Sequence, residues 1–267
     1  MKKLLAILLA AVMLVCFAGC GGKDENKIKI GVQTTTTGDI YATGDFGEDA
    51  ITRYENGAAA VEALKADKVD VVIIDNEPAK SYVAANKGLK ILDTEYTKEE
   101  YAICLKKGAD INSKIDTALK DLIADGSVQT VIDKYINGAD TPLNGVPTNF
   151  TDTDKPNLVV ATNPEFPPYE YIDGDKYYGI DMEVSKLIAD KLGYDLKIEN
   201  VSFDSIIPGV QSGKYNMGMS GMTVTEERLK TVDFSTSYAT GIQSVIVKED
   251  GNIQSLDDLN KFLLPKE

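Results

Sequence analysis

Histidine and tryptophan are both absent from the 267 residues. Without histidine, the chain lacks the commonest general base near neutral pH and the commonest metal ligand. Cysteine is scarce, at three residues: Cys16, Cys20 and Cys104. Positive charge is also short, with 28 Lys and Arg against 42 Asp and Glu, a formal net charge of −14. A surface of that sign argues against nucleic acid or an anionic bilayer as partner. It does not argue against one anionic group on a small ligand, because a single buried arginine acts locally. The only long apolar run is Leu4 to Ala18, too short for a comfortable membrane span.

That run follows Lys2 and Lys3 and ends in Phe17-Ala18-Gly19-Cys20. A basic start, a short apolar core and small residues at its end describe an export signal over 1–19. Small residues before a cysteine resemble the lipobox of bacterial lipoproteins, which implies a lipid on Cys20 and a tether over 20–26. Phe17 departs from that motif's usual leucine, and a plain signal peptide cut elsewhere is the alternative. Loss of 1–19 removes two lysines and takes the formal charge to −16. Cys104 then stands alone, with no disulfide available. It lies in the apolar run Tyr101-Ala102-Ile103-Cys104-Leu105, the setting of a buried, inert thiol.

Beyond residue 27 the pattern alternates. Strands are expected at Lys29–Val32, Val69–Ile74, Leu89–Leu92, Leu158–Ala161, Leu196–Val201, Tyr215–Met219 and Gln243–Val247. Helices are expected at Ala58–Ala66, Glu77–Ala85, Ile111–Ala124, Val128–Ile136, Asp181–Leu192 and Asp204–Ser212, with a further one carrying Arg228. Asn137 to Asp154 breaks the alternation with Gly138, Pro142, Gly145 and Pro147 and reads as a linker. Alternation of this kind predicts α/β layers with mostly parallel sheets. Ligands in such folds sit at the carboxyl ends of strands. Ser220-Gly221 and Asp75 both fall at such ends.

The most informative stretch is Ser220-Gly221-Met222-Thr223-Val224-Thr225-Glu226-Glu227-Arg228. It joins a hydroxyl-rich turn to an arginine near a helix start. Arginine's planar fork matches a carboxylate, and N–H groups at a helix N-terminus add donors for the same anion. The bland alternative is a surface arginine paired with a neighbouring acid.

Around these residues the chain resembles the extracytoplasmic solute-binding proteins for polar amino acids, family 3, the receptors of ABC importers. Asn163-Pro164-Glu165-Phe166-Pro167-Pro168-Tyr169-Glu170-Tyr171, Gly179-Ile180-Asp181-Met182-Glu183, Phe203-Asp204-Ser205-Ile206-Ile207-Pro208 and the Arg228 block resemble its first part. Ile30 to Gly38 and Val69 to Asp75 resemble its second. The resemblance implies a type II periplasmic-binding-protein-like fold, two α/β lobes on a two-segment hinge. The order is reversed, so the chain reads as circularly permuted. Lobe 2 is expected over 27–99 and 242–267, with no family counterpart assigned to the tail from Asn260. Lobe 1 is expected over 104–138 and 156–238, with hinges at 100–103 and 239–241 and a linker over 139–155.

The resemblance also implies roles. Arg228 clamps an α-carboxylate and Asp75 holds the α-ammonium from the opposite lobe. Ser220, Gly221 and Thr223 supply polar backbone and hydroxyl groups, and Phe166 and Phe203 sandwich the ligand side chain. Thr36 and Thr37 offer second-lobe donors, with Gln33 and Thr35 in the same loop. The family usually has glycine where Thr35 stands, so either affinity is weakened, in which case replacement by glycine tightens binding, or the loop is reshaped. Asn163 sits where relatives for cationic amino acids often carry aspartate. That favours a neutral polar ligand, although Glu165 or Asp39 offers a site for a cation. The bland alternatives are helix caps for the hydroxyls and Asp75, and core for the aromatics. The implied function is extracytoplasmic capture of a polar amino acid and delivery to an ABC permease by a lipid-anchored monomer. No cofactor, metal or catalysis is expected. A sensing or engineered binding module, and a dehydratase-like enzyme on the same scaffold, are the alternatives.

Overall fold

A computed structural model describes residues 27–265 apart from 94, 140, 141 and 152. The expected signal segment 1–19, Cys20 and the tether lie outside the described residues. In chain order the elements are β1 (Ile30–Gln33), α1 (Thr37–Phe46), β2 (Ile51–Tyr54), α2 (Gly57–Lys65), β3 (Val71–Asp75), α3 (Asn76–Ala85), β4 (Leu89–Ile91) and β5 (Thr97–Lys106). Next come α4 (Asn112–Ala124), α5 (Ser127–Tyr135), β6 (Val146–Pro147), β7 (Asn157–Thr162), β8 (Glu165–Phe166), β9 (Glu170–Asp173) and β10 (Lys176–Tyr178). The last are α6 (Ile180–Leu192), β11 (Asp195–Asn200), α7 (Phe203–Ser212), β12 (Met217–Gly218), α8 (Glu226–Leu229), β13 (Val232–Lys248) and α9 (Leu256–Asn260). The fold is mixed α/β.

One sheet of nine strands runs β11-β7-β12-β5-β13-β3-β1-β2, with β4 also paired to β13. Its flanks are parallel: β11 and β12 on β7, and β2 and β3 on β1. Its centre is antiparallel, which corrects the expectation of mostly parallel pairing. Parallel neighbours need a long crossover, usually a helix. From β12 to β13 the chain has only α8, a single turn, and it turns back instead. β13 pairs β5 over Val232–Gln243, then β3 and β4 up to Lys248, so one strand belongs to both ends of the sheet.

Each end has apolar layers on both faces, as the period of two demands. Val71 and Ile73 pack with Ile30, Val32, Val245 and Leu259, while Val72 and Ile74 face Ala60, Leu64 and Ala79. At the other end Ile103, Leu105, Leu158 and Val160 meet Ile115, Leu119, Ile180 and Ile188. Cys104 and Ala161 face Ile206 and Val210 on the reverse side. Strand β5 joins the two ends beside β13, and Gly241 lies where a Cβ would stand 2.3 Å from the Tyr101 ring. The pairing shifts register between Phe234 and Ser237 and again before Ala239.

The segment expected to be a plain linker has structure. Val146 and Pro147 pair antiparallel with Tyr177 and Lys176, and buried Val146 packs with Tyr177 and Met182. The Asn144 N–H donates to Glu183 at 2.8 Å, and Lys134 and Tyr135 hold the same carboxylate. Pairing to an exposed edge satisfies backbone groups even where apolar content is low. At the other end of the chain, the Leu264 N–H donates to the Asp45 carbonyl at 2.8 Å, and Phe262 and Leu263 pack on the core around Ile30.

Candidate functional site

Four strands end at one place. β1 delivers Gln33, β3 delivers Ile74 and Asp75, β7 leads into Asn163, and β12 leads into Ser220 and Gly221. The start of α1 adds Thr36 and Thr37, and that of α7 adds Phe203. These residues, with Phe166, Thr223 and Arg228, line one cavity. The cavity lies at strand carboxyl ends, where such folds bind ligands. The first-turn N–H groups of α1 lack intrahelical partners and make its start a source of donors.

Arg228 is 7% exposed. The Thr225 hydroxyl caps its helix and accepts from its N–H. Its Nη1 donates to the Thr223 carbonyl at 2.8 Å and its Nη2 to the Thr35 carbonyl at 3.2 Å. Its guanidinium carbon lies 5.6 Å from the centre of the Phe203 ring. Guanidinium has five N–H donors, so two carbonyls leave it partly unsatisfied. Among the described residues no carboxylate lies within ion-pair distance, and desolvation pulls its pKa down. A buried charge of this kind calls for a counter-ion.

Asp75 is 1% exposed. Its Oδ1 accepts from the Glu77 N–H at 3.0 Å and caps α3, and its Oδ2 accepts from the Tyr101 hydroxyl. Burial pushes its pKa up to about 7, against the pull of those two bonds. Capping, the bland reading of this residue, is therefore observed, and the side chain still borders the cavity. A carboxyl in this state becomes a better anion as soon as a cation enters.

Between them sits a polar chain. The Thr37 and Thr223 hydroxyls are 3.4 Å apart, and Thr223 donates to Glu99 Oε2 at 3.1 Å. Gln243 Nε2 donates to the same oxygen at 3.0 Å. Across the cavity, Gln33 Nε2 donates to Asn163 Oδ1 at 3.0 Å, and Asn163 Nδ2 to the Val201 carbonyl at 3.2 Å. Phe166 stacks on Tyr169 with centres 5.8 Å apart. Gly221, at φ +50, lies so close that a Cβ would sit 3.0 Å from the Phe166 ring.

Of the twelve residues expected to bind ligand, the cavity gathers all but Thr35. Thr35, at φ 63, donates its N–H to Asp39 Oδ2, and its carbonyl accepts from Arg228 Nη2. The alternative cation acceptors do not reach the cavity. Asp39 is paired to Arg53 at 2.9 Å, and Glu165 is exposed. Sequence reasoning missed Ile74, Tyr101, Glu170 and Gln243, which also line the cavity. Tyr101 read as part of an apolar run and of the expected hinge 100–103, with no site role. Gln243 opens an apolar strand and carries no local signal. Glu170 sits in a quoted motif but had no role in view.

Residues 158–265 match the family described as Bacterial extracellular solute-binding proteins, family 3. The match reaches past Asn260, into the tail to which no family counterpart was assigned. The Arginine-binding extracellular protein ArtP of Bacillus subtilis (strain 168) is 38% identical over 109 residues, 41% of this chain and 43% of its own length. The Glutamine-binding protein of Geobacillus stearothermophilus is 39% identical over 108 residues, 39% of this chain and 38% of its own length. An ancestral arginine-binding protein solved with arginine is 43% identical, covering 30% of this chain and 36% of that one, with a TM-score of 0.29. The chain thus spans less than half the length of the curated relatives it matches.

Proposed function

We propose, for a chain whose residues 158–265 match family 3 of the bacterial extracellular solute-binding proteins, the capture of a polar α-amino acid and its delivery to an ABC importer. The observation that carries this reading is a buried, under-satisfied guanidinium and a buried carboxyl bordering one cavity. Arg228, the start of α1 at Thr36 and Thr37, and the Thr223 backbone take the α-carboxylate. Asp75, the Ser220 carbonyl and the Thr223 hydroxyl take the α-ammonium. Phe166, Phe203 and Gly221 hold the side chain, with Gln33 and Asn163 at its polar end. That end presents amides, and the acids Asp39 and Glu165 stand clear of the cavity, which favours a neutral polar side chain. The names of relatives that bind arginine and glutamine support an amino acid as the class.

Closure follows from charge placement. Arg228 comes from 156–238 and Asp75 from 27–99, so a zwitterion bridges the two lobes and favours the closed state. The hinges are 100–103 and 239–241, within β5 and β13. We read the order as permuted: the family match begins at 158, while β1 to β4, which complete the sheet, precede it. Export and a lipid on Cys20 would hold a monomer at the outer face of the membrane, beside a permease.

Thermal-shift screening of the purified chain against the twenty amino acids tests the reading. A ligand at a hundredfold excess over its Kd adds about 2.7 kcal/mol, which raises Tm by roughly 5–10 °C. If none of the twenty shifts Tm, the reading fails.

Thr35→Gly bears on the same loop. Left-handed backbone costs a non-glycine residue roughly 1–2 kcal/mol. Glycine's greater freedom in the unfolded chain returns about half of that. The variant is expected to melt about 1–3 °C higher and to bind its amino acid more tightly. Calorimetric titration checks the second point, and unchanged affinity removes Thr35 as a cause of weak binding.

A further inference from the structure

Glu170 and Asp181 are both fully buried, and their carboxyl groups lie side by side next to the cavity. Their surroundings are unequal. Asp181 stands in the first turn of α6, where the helix dipole favours an anion. Its Oδ2 accepts from the Gly221 N–H at 2.7 Å and its Oδ1 from the Tyr238 hydroxyl at 2.7 Å. Glu170, at the start of β9, accepts one bond, from the Ser220 hydroxyl to Oε1 at 2.5 Å. Its other oxygen, Oε2, is buried and meets no donor. The remaining titratable groups facing the pair are Asp75 at the end of β3, Tyr82 on α3, Tyr169 beside Glu170, and Tyr238 on β13. None of these is a cation.

We propose that Glu170 and Asp181 share one proton, held on Glu170 Oε2 and donated to Asp181, and that this bridge positions the Ser220–Gly221 turn facing the ligand. Two adjacent carboxylates without a cation cannot both stay charged in a buried site. The proton settles on the partner with fewer donors and no helix start behind it. Desolvation and the Asp181 charge drive the pKa of Glu170 upward in agreement. The pair then holds both ends of the turn: Glu170 takes the Ser220 hydroxyl, and Asp181 takes the Gly221 N–H. The Ser220 hydroxyl in turn accepts from the Asn163 N–H at 3.2 Å, which ties the bridge to a second cavity residue. Glu170 and Asp181 are thus positioning residues for the proposed ammonium site, and the inference rests on the amino-acid reading of the cavity.

Two near-isosteric variants separate the partners. Glu170→Gln supplies an N–H where the proton sits and an oxygen for Ser220. It is expected to keep Tm and to keep amino-acid affinity within about threefold of wild type. Asp181→Asn removes the anion and sets an amide N–H against a group that now donates. It is expected to lose roughly tenfold or more in affinity and to lower Tm, since charge-assisted bonds are about twice as strong as neutral ones. Glu170→Ala is expected to behave like Asp181→Asn. Raising the pH should weaken binding in wild type as Glu170 ionises, and leave Glu170→Gln flat on that side. Infrared difference spectra of wild type minus Glu170→Gln should hold the carbonyl band of a protonated carboxyl at neutral pH. Absence of that band overturns the proposal, as does tolerance of Asp181→Asn with failure of Glu170→Gln. If wild type binds no amino acid, the reading of the cavity fails instead. The infrared band and the order of Tm values in unliganded protein still decide where the proton lies.

Discussion

Arg228→Ala is expected to abolish the ligand-dependent rise in Tm and to weaken amino-acid binding by about a hundredfold to ten-thousandfold. Two charge-assisted bonds from the guanidinium to a carboxylate, at about 1.5–3 kcal/mol each, give that range when every 1.4 kcal/mol is a factor of ten. The unliganded protein should suffer less. Truncation leaves the Thr223 and Thr35 carbonyls without their donor and opens space beside Phe203. It also removes a buried cation that makes no ion pair among the described residues, which offsets part of that loss. Arg228→Lys keeps the charge and loses the fork, and should bind with intermediate affinity. Calorimetric titration of the three proteins decides the matter. An alanine variant within fivefold of wild type would remove Arg228 from the site.

The elements that place this arginine were legible in the sequence because their signals are local. A hydroxyl-rich turn after a strand and Arg228 near a helix start fall within a few positions of each other, and the structure forms α8 there, capped by Thr225 rather than by Ser220 or Thr223. Val71–Asp75 and Ile180–Leu192 were legible for the same reason, since an apolar run and a helical stripe bound themselves. β5 was not, and of β13 only Gln243–Val247 was. Thr97–Lys106 begins with Lys98, Glu99 and Glu100, and Val232–Lys248 has a polar middle from Ser235 to Thr240. Each gains its regularity from the other through pairing across more than a hundred residues, which no window of sequence contains. Separation in sequence also hid Tyr101 from Asp75, 26 residues away, and Gln243 from Glu99, 144 residues away. Val146 and Pro147 were hidden by composition, because an edge pair needs backbone more than apolar side chains.

Acid pH is expected to weaken amino-acid binding through Asp75. Desolvation by burial raises its pKa to about 7 in the folded protein, from the ordinary 3.8 of an aspartate. A raised pKa means the folded state holds the proton more tightly than the unfolded chain. The resulting stabilisation is fully present below about 3.8 and is lost as pH climbs through about 7. Unliganded protein should therefore gain stability from this group on acidification across that window. Binding runs the other way. The ligand's ammonium prefers the carboxylate, so a protonated Asp75 must release its proton when the ligand enters. Affinity should then fall by up to about tenfold per pH unit below 7, and binding should release protons in measurable fraction near pH 7. Calorimetry in buffers of different ionisation enthalpy counts those protons directly. Asp75→Asn isolates the group: its one carbonyl oxygen can still accept from the Glu77 N–H, and its amide NH2 then donates to the Tyr101 hydroxyl oxygen. That variant should bind weakly at every pH, lose the acid-side slope and show no proton release. A wild-type affinity that stays level from pH 8 to pH 5, with no proton released, would take Asp75 out of contact with the ammonium.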